Sequence, residues 1–163
     1  MVRSDDDIRS AYVAGLTLLA RRELSEAQVR QRLLRKKYSP DAIDAAVDRL
    51  KAEGAIDDAR VAAALARSEV SVRRRGRIRV ERRIQSAGID AATARRAADE
   101  AYRDVDSEAL LGAALVKRLK GRASIADQRE FQRLYRYLIA QGFDADKVLS
   151  ILKAHSKTSH SDD

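Results

Sequence analysis

Apolar residues recur at three- and four-residue intervals along almost the whole chain, and no stretch shows the strict alternation of a half-buried strand. The periodic stretches are set apart by short polar joints that carry helix stop and start signals. The first pattern covers about residues 6–22, where Tyr12, Leu16, Leu19 and Ala20 share a helical face; residues 1–5 read as a loose end. Ser25 followed three residues later by Gln28 is a capping box. It opens a second helix, to about Lys37, with Val29 and Leu33 on the inner edge. Ser39 is the next cap, and Pro40 occupies the first helical position, where its missing amide costs nothing. The third helix runs to Glu53 with Ile43, Val47 and Leu50 inward, and Gly54 stops it.

The scheme then begins again. Asp57 caps a long helix whose expected inner seam is Val61, Leu65, Ser68 and Val72. Gly76 breaks it before a basic helix over about 77–87, and Asp90 caps an Ala-rich helix over about 91–103. In a third round, Ser107 is expected to cap a helix to about Lys120. Gly121 ends that helix, and a longer one follows over about 125–141, with Phe131, Leu134, Tyr135 and Leu138 apolar. Asp144 caps the last, over about 145–155. The polar tail 156–163 reads as disordered.

The joints repeat one phrase. Tyr38 before Ser39, Ile89 before Asp90 and Phe143 before Asp144 each place a bulky residue between a helix end and a new cap. That is the position of a hydrophobic staple. Tyr38 to Ile89 is 51 residues and Ile89 to Phe143 is 54, so the period is near 50 with three helices in each repeat. A repeat of this length argues for tandem units. The expected fold class is all-α: three three-helix modules, residues 6–54, 55–104 and 105–155, stacked side by side.

Composition agrees and adds charge. One Pro, seven Gly and only 4% aromatics suit helices with small contacts. A net charge of +8 calls for a polyanionic partner: nucleic acid, an acidic protein face or an anionic membrane. With no Cys there is no disulfide, thiol nucleophile or thiolate metal site. The apolar runs fall short of a bilayer span. The acidic start, Met1 to Asp7, lacks a signal-peptide core. A soluble protein of a reducing, cytoplasmic compartment is expected. No module shows a wide apolar outer stripe, so a monomer is expected.

The charge is concentrated. Residues 73–83 hold seven arginines, Arg73, Arg74, Arg75, Arg77, Arg79, Arg82 and Arg83, against one acid, Glu81. With Val80 at the origin of a helical wheel, Ile84 falls at about 40°, while Arg79, Arg82 and Arg83 fall at about 260°, 200° and 300°. One edge is apolar and the opposite arc is guanidinium, which meets phosphate or carboxylate in bidentate geometry. A second cluster is Arg30, Arg32, Arg35, Lys36 and Lys37; a third is Lys117, Arg118, Lys120 and Arg122. Stacked in register, the three clusters would line one face. The competing reading of each is an ordinary solvated helix face. Tyr102, Tyr135 and Tyr137 are candidates for base stacking, against the alternative of core packing.

No catalytic constellation is present. His155 and His160 read as exposed, the carboxylates read as surface ion-pair partners, and no Gly-rich phosphate loop follows a strand. No catalytic residue, metal site or cofactor is expected, and the chain does not read as an enzyme.

The phrase Gly54-Ala55-Ile56-Asp57-Asp58-Ala59-Arg60, with Arg75-Gly76-Arg77, Val80, Ile84 and Ala87-Gly88-Ile89, resembles the signature of the RecX family, bacterial regulators of the RecA recombinase. Leu24-Ser25-Glu26, Leu33, Arg136-Tyr137-Leu138 and Gln141-Gly142-Phe143 extend the resemblance over nearly the whole chain. It implies a chain of three three-helix modules in an elongated, curved arrangement that binds RecA and its filament, restrains its activities, can bind single- or double-stranded DNA, and has no enzymatic activity of its own. It also implies a filament end or groove as the place of action. Asp57 and Asp58 match the family's paired acids, and Asp57 reads first as a helix cap. The rival expectation is a sequence-nonspecific nucleic-acid-binding protein acting directly on DNA; a helical adaptor for another acidic protein is a third.

Overall fold

The structure is a computed structural model and describes residues 2–156. Among these it is all helix: α1 (Val2–Arg21), α2 (Glu26–Arg35), α3 (Pro40–Ala52), α4 (Asp58–Ser71), α5 (Arg77–Gln85), α6 (Ala91–Tyr102), α7 (Ser107–Leu119), α8 (Gln128–Ala140) and α9 (Ala145–Ser156). None of the described helices is long and apolar enough to cross a membrane. The expected tail lies outside the described residues except Ser156, which closes α9 and bonds the Leu152 carbonyl at 2.9 Å.

The caps account for most boundaries. The Ser25 hydroxyl accepts the Gln28 amide and Gln28 returns a bond to the Ser25 amide, so the capping box is complete. Ser39 accepts the Ala42 amide, and Asp57 the Arg60 amide at 3.0 Å. Asp90 takes both the amide and the hydroxyl of Thr93, and these bonds hold its carboxyl below the usual range. Asp144 accepts the amides of Asp146 and Lys147.

Five expectations need correction. The chain is already helical at Val2, where residues 1–5 were expected to be loose. Asp5 lies in that first turn, where a carboxylate suits the helix dipole. Asp7 accepts the Ser39 hydroxyl at 2.8 Å and Ser10 bonds the Tyr38 hydroxyl at 3.0 Å, which ties the early turns to the α2–α3 joint. The inner face of α1 is Ala11 and Gly15 rather than Leu16, which is exposed. The reason is close approach: a Cβ on Gly15 would stand 2.6 Å from Leu50 Cδ1. On α4 the buried positions are Val61, Ala62, Ala66, Glu69 and Val70, whereas Ser68 and Val72 face solvent. In the third round Asp106, not Ser107, caps α7 through the amides of Glu108 and Ala109, and α8 starts three residues late, at Gln128, because Asp127 caps it.

The chain divides into two compact units. One holds the chain up to Leu65 together with Arg83–Ala97; the other holds Ala66–Arg82 together with the chain from Ala98 on. The division passes through α4, α5 and α6. In the first unit the core is Leu24, Val29, Leu33, Ile43, Val47, Leu50 and Ile56, with a small-residue patch of Ala11, Ala42 and Ala46 beside it. In the second it is Leu111, Leu115, Leu119, Ile125, Leu134, Leu138, Phe143, Val148 and Leu152. Of the staple residues, Phe143 belongs to the second core and half-buried Tyr38 packs against the first, while Ile89 is buried.

Candidate protein and nucleic-acid interface

The basic helix α5 is anchored by Val80 and Ile84, both fully buried, which turns Arg82 and Arg83 to solvent. Its first turn is satisfied in an unusual way. The first amides of a helix have no partner within it, and neither do the last carbonyls of another. Here the two sets meet: the Gly76 amide donates to the Gln141 carbonyl at 2.8 Å and the Ile78 amide to the Gly142 carbonyl at 3.1 Å.

Three arginines of the cluster are engaged within the fold, two of them at this junction. Arg79 donates to the Ala140 carbonyl at 2.9 Å. Arg75 donates from Nη1 to the Gln141 side chain, its Nε is buried without a partner, and its carbonyl accepts the Tyr102 hydroxyl. Burial pushes that phenol up to about 12, so it stays protonated and donating. Arg77 is paired with Asp99 and, at 3.0 Å, with Glu81, and these partners raise its already high pKa. Arg73 lies 3.6 Å from Glu69, which is buried beneath it. Arg74, Arg82 and Arg83 have no acidic partner among the described residues; Arg83 reaches only the Ser86 hydroxyl at 3.4 Å.

The second cluster divides in the same manner. Arg30 is held by Glu26 and Asp44. Arg35, Lys36 and Lys37 are exposed and Arg32 half-buried, all without acidic partners among the described residues. In the third cluster Lys117 and Lys120 are exposed and unpaired in the same sense. Arg118 stacks on the Tyr137 ring, 3.7 Å from its centroid. Arg122 makes a two-pronged pair with Glu130, which also accepts the Ala126 amide; the Arg122 guanidinium first, then that amide, draw the Glu130 carboxyl down to about 2.

The structure brings two of the clusters together. Arg73, Arg74 and Lys117 border one groove, lined also by Val72, Leu110, Ala113, Ala114, Tyr137, Gln141 and Phe143. The tyrosines that were candidates for base stacking follow the alternative of internal packing: Tyr102 is engaged with Arg75, Tyr137 with Arg118, and Tyr135 with the core. His155 is half-buried, its Nδ1 2.8 Å from the Ile151 carbonyl; His160 lies outside the described residues.

The structural roles of three acids escaped the sequence reading. Asp58 accepts the Glu26 amide at 2.9 Å, a cap supplied to α2 from α4. Glu69 is buried and Glu130 nearly so. Only Glu130 had a local signal: Asp127 and Glu130 stand at capping spacing, and Asp127 does accept the Glu130 amide at 2.8 Å. Exposed cations without neighbouring carboxylates can bind phosphate or carboxylate groups of another molecule.

A family model described as "RecX, first three-helix domain" matches residues 11–50. The chain is 32% identical over 136 residues to the regulatory protein RecX of Halorhodospira halophila, covering 83% of this chain and 81% of that one. It is 34% identical over 135 residues to the regulatory protein RecX of Chromohalobacter salexigens, covering 82% and 85%. The backbone resembles the crystal structure of RecX from Lactobacillus salivarius with a TM-score of 0.75 at 21% identity, over 92% of this chain and 97% of that one. At that identity the likeness bears on the fold alone.

Proposed function

This chain belongs to the RecX family of regulatory proteins, and on that premise we propose that it binds RecA and its nucleoprotein filament. In doing so it restrains the recombinase, ATPase and coprotease activities that serve DNA repair, recombination and the SOS response. It acts in the cytoplasm as a monomer, without a cofactor and without chemistry of its own. The observation that supports the reading is the set of exposed cations Arg74, Arg82, Arg83, Arg35, Lys36, Lys117 and Lys120, none with an acidic partner among the described residues. Such groups are left to meet carboxylates of RecA or phosphates of its DNA. Arg75, Arg77, Arg79 and Arg122 are instead engaged within the fold as braces.

Contacts of this kind are weakened by salt. Reversing Arg74, Arg82 and Arg83 to Glu is expected to abolish inhibition of RecA-driven strand exchange while the helical circular dichroism stays unchanged. Full inhibition by that triple variant would remove these cations from the mechanism.

The same cations support a second reading, in which the chain acts on DNA directly and without sequence preference. A pull-down with RecA in the complete absence of nucleic acid separates the two. Capture of RecA supports the first, and capture of DNA alone supports the second.

A further inference from the structure

The groove between loop 72–74 and α7 joins features that no ordinary solvated face requires. It holds about 340 Å³. Leu110, Ala113 and Ala114 form its floor, at the spacing of one helical face. Val72, 77% exposed, stands as an apolar wall. Arg73, Arg74 and Lys117 form the rim, and no carboxylate among the described residues lines the groove.

The backbone supplies a second observation. Arg74 has φ 51, in the left-handed region that glycine adopts freely and other L-residues resist. The loop is held there by the Arg75 amide on the Glu69 carbonyl at 3.0 Å and by the Tyr102 hydroxyl on the Arg75 carbonyl. A helix end of this shape is where glycine commonly stands. An arginine there retains strain, as Lys37 and Lys120 do at the ends of α2 and α7; at Arg74 this backbone sets the residue on the rim of the groove.

The floor discriminates between occupants. A single strand of nucleic acid seeks open aromatic faces. In this groove Phe143 is buried and Tyr137 is already stacked against Arg118. Aliphatic floor and cationic rim together complement a helix with apolar residues on one side and acids on its flanks. We propose that this groove docks an acidic, amphipathic helix of a partner protein. Its aliphatic side chains sit on Ala113 and Ala114 against Val72, and its carboxylates face Arg74 and Lys117. The inference rests on the RecA reading above and names the chemistry of the segment that docks.

The test uses the full chain with two variants, Arg74→Gly and Ala113→Glu. The probes are RecA without DNA and, separately, a labelled single-stranded oligonucleotide. Each variant is expected to weaken RecA binding by about tenfold or more, the effect of removing one central contact. Arg74→Gly should melt no lower than the parent, since it relieves the left-handed backbone. Oligonucleotide affinity should fall by only about twofold, the share of one cation among several. Unchanged RecA binding in both variants would overturn the groove alone. So would a loss of oligonucleotide binding as large as the loss of RecA binding, which would make the groove a nucleic-acid site. A parent chain that fails to bind RecA would remove the RecA reading and this occupant together.

Discussion

Gly76 and Gly142 touch backbone to backbone. A Cβ on Gly76 would lie 2.3 Å from the Gly142 carbonyl carbon, and a Cβ on Gly142 would lie 2.7 Å from the Gly76 carbonyl oxygen. This closeness is what lets the first amides of α5 reach the last carbonyls around α8. Each end supplies what the other lacks.

Glycine at position 142 is therefore doubly constrained. It has φ 98, and an added Cβ would stand 2.4 Å from the Arg79 nitrogen, which cannot yield. Gly142→Ala is expected to cost about 3 kcal/mol, strain and collision combined. Gly54 has φ 74 with nothing within 4 Å, so Gly54→Ala should cost only about 1 kcal/mol. Urea unfolding of the two variants measures the difference, and equal losses would mean the junction is loose.

Two serine caps should differ likewise. Ser25 is fully buried and its hydroxyl also donates to the Ala87 carbonyl, joining α2 to the α5–α6 joint. Ser25→Ala removes the cap and leaves that carbonyl unsatisfied, for about 2 kcal/mol or more. Ser39 also caps and also donates, to Asp7, but it is exposed and water can replace these bonds; Ser39→Ala should cost about 1 kcal/mol. Thermal melts with a shared baseline would rank them.

Glu130 gives stability a pH dependence. Its pKa falls from an ordinary 4.5 to about 2 in the fold, chiefly through Arg122. The unfolded chain binds the proton first as pH falls, so the contribution is full above about pH 4.5 and is lost toward pH 2. Glu130→Gln should melt well below the parent at neutral pH, and the gap should close as the pH drops through that window. A gap that stays constant would show that the charge is not what the pair contributes.

Arg79 and Arg83 sit on the same helix and should behave as opposites. Arg79→Ala loses the bond to the Ala140 carbonyl and should destabilise by about 1 kcal/mol. Arg83 is exposed with one long bond to Ser86, so Arg83→Ala should stay within about 0.5 kcal/mol of the parent. It should instead weaken RecA inhibition. Denaturation and a strand-exchange assay on both variants check the two halves.

Much of the helix plan was legible because its signals act over short range. Ser25 with Gln28, Ser39 with Pro40, Asp57, Asp90 and Asp144 each act on amides within three residues of themselves. Where two caps competed in adjacent positions, as at Asp106 and Ser107, the better acceptor won. The face of α1 was misread because large apolar residues draw attention, while the helix is pulled in by what is missing from Ala11 and Gly15.

The division of the arginines is another matter. Side by side in the sequence, Arg74, Arg75, Arg79 and Arg82 are chemically identical, and any of them could face a partner. Arg75 and Arg79 become braces because Gln141 and Ala140, more than sixty residues away, bring acceptors to them. Arg74 and Arg82 remain open because no acid among the described residues reaches them. Helix, cap and net charge follow from neighbours along the chain. Which cations are left for another molecule depends on carbonyls and carboxylates that only folding brings within bonding distance, and a hydrogen bond is strong only over such distances.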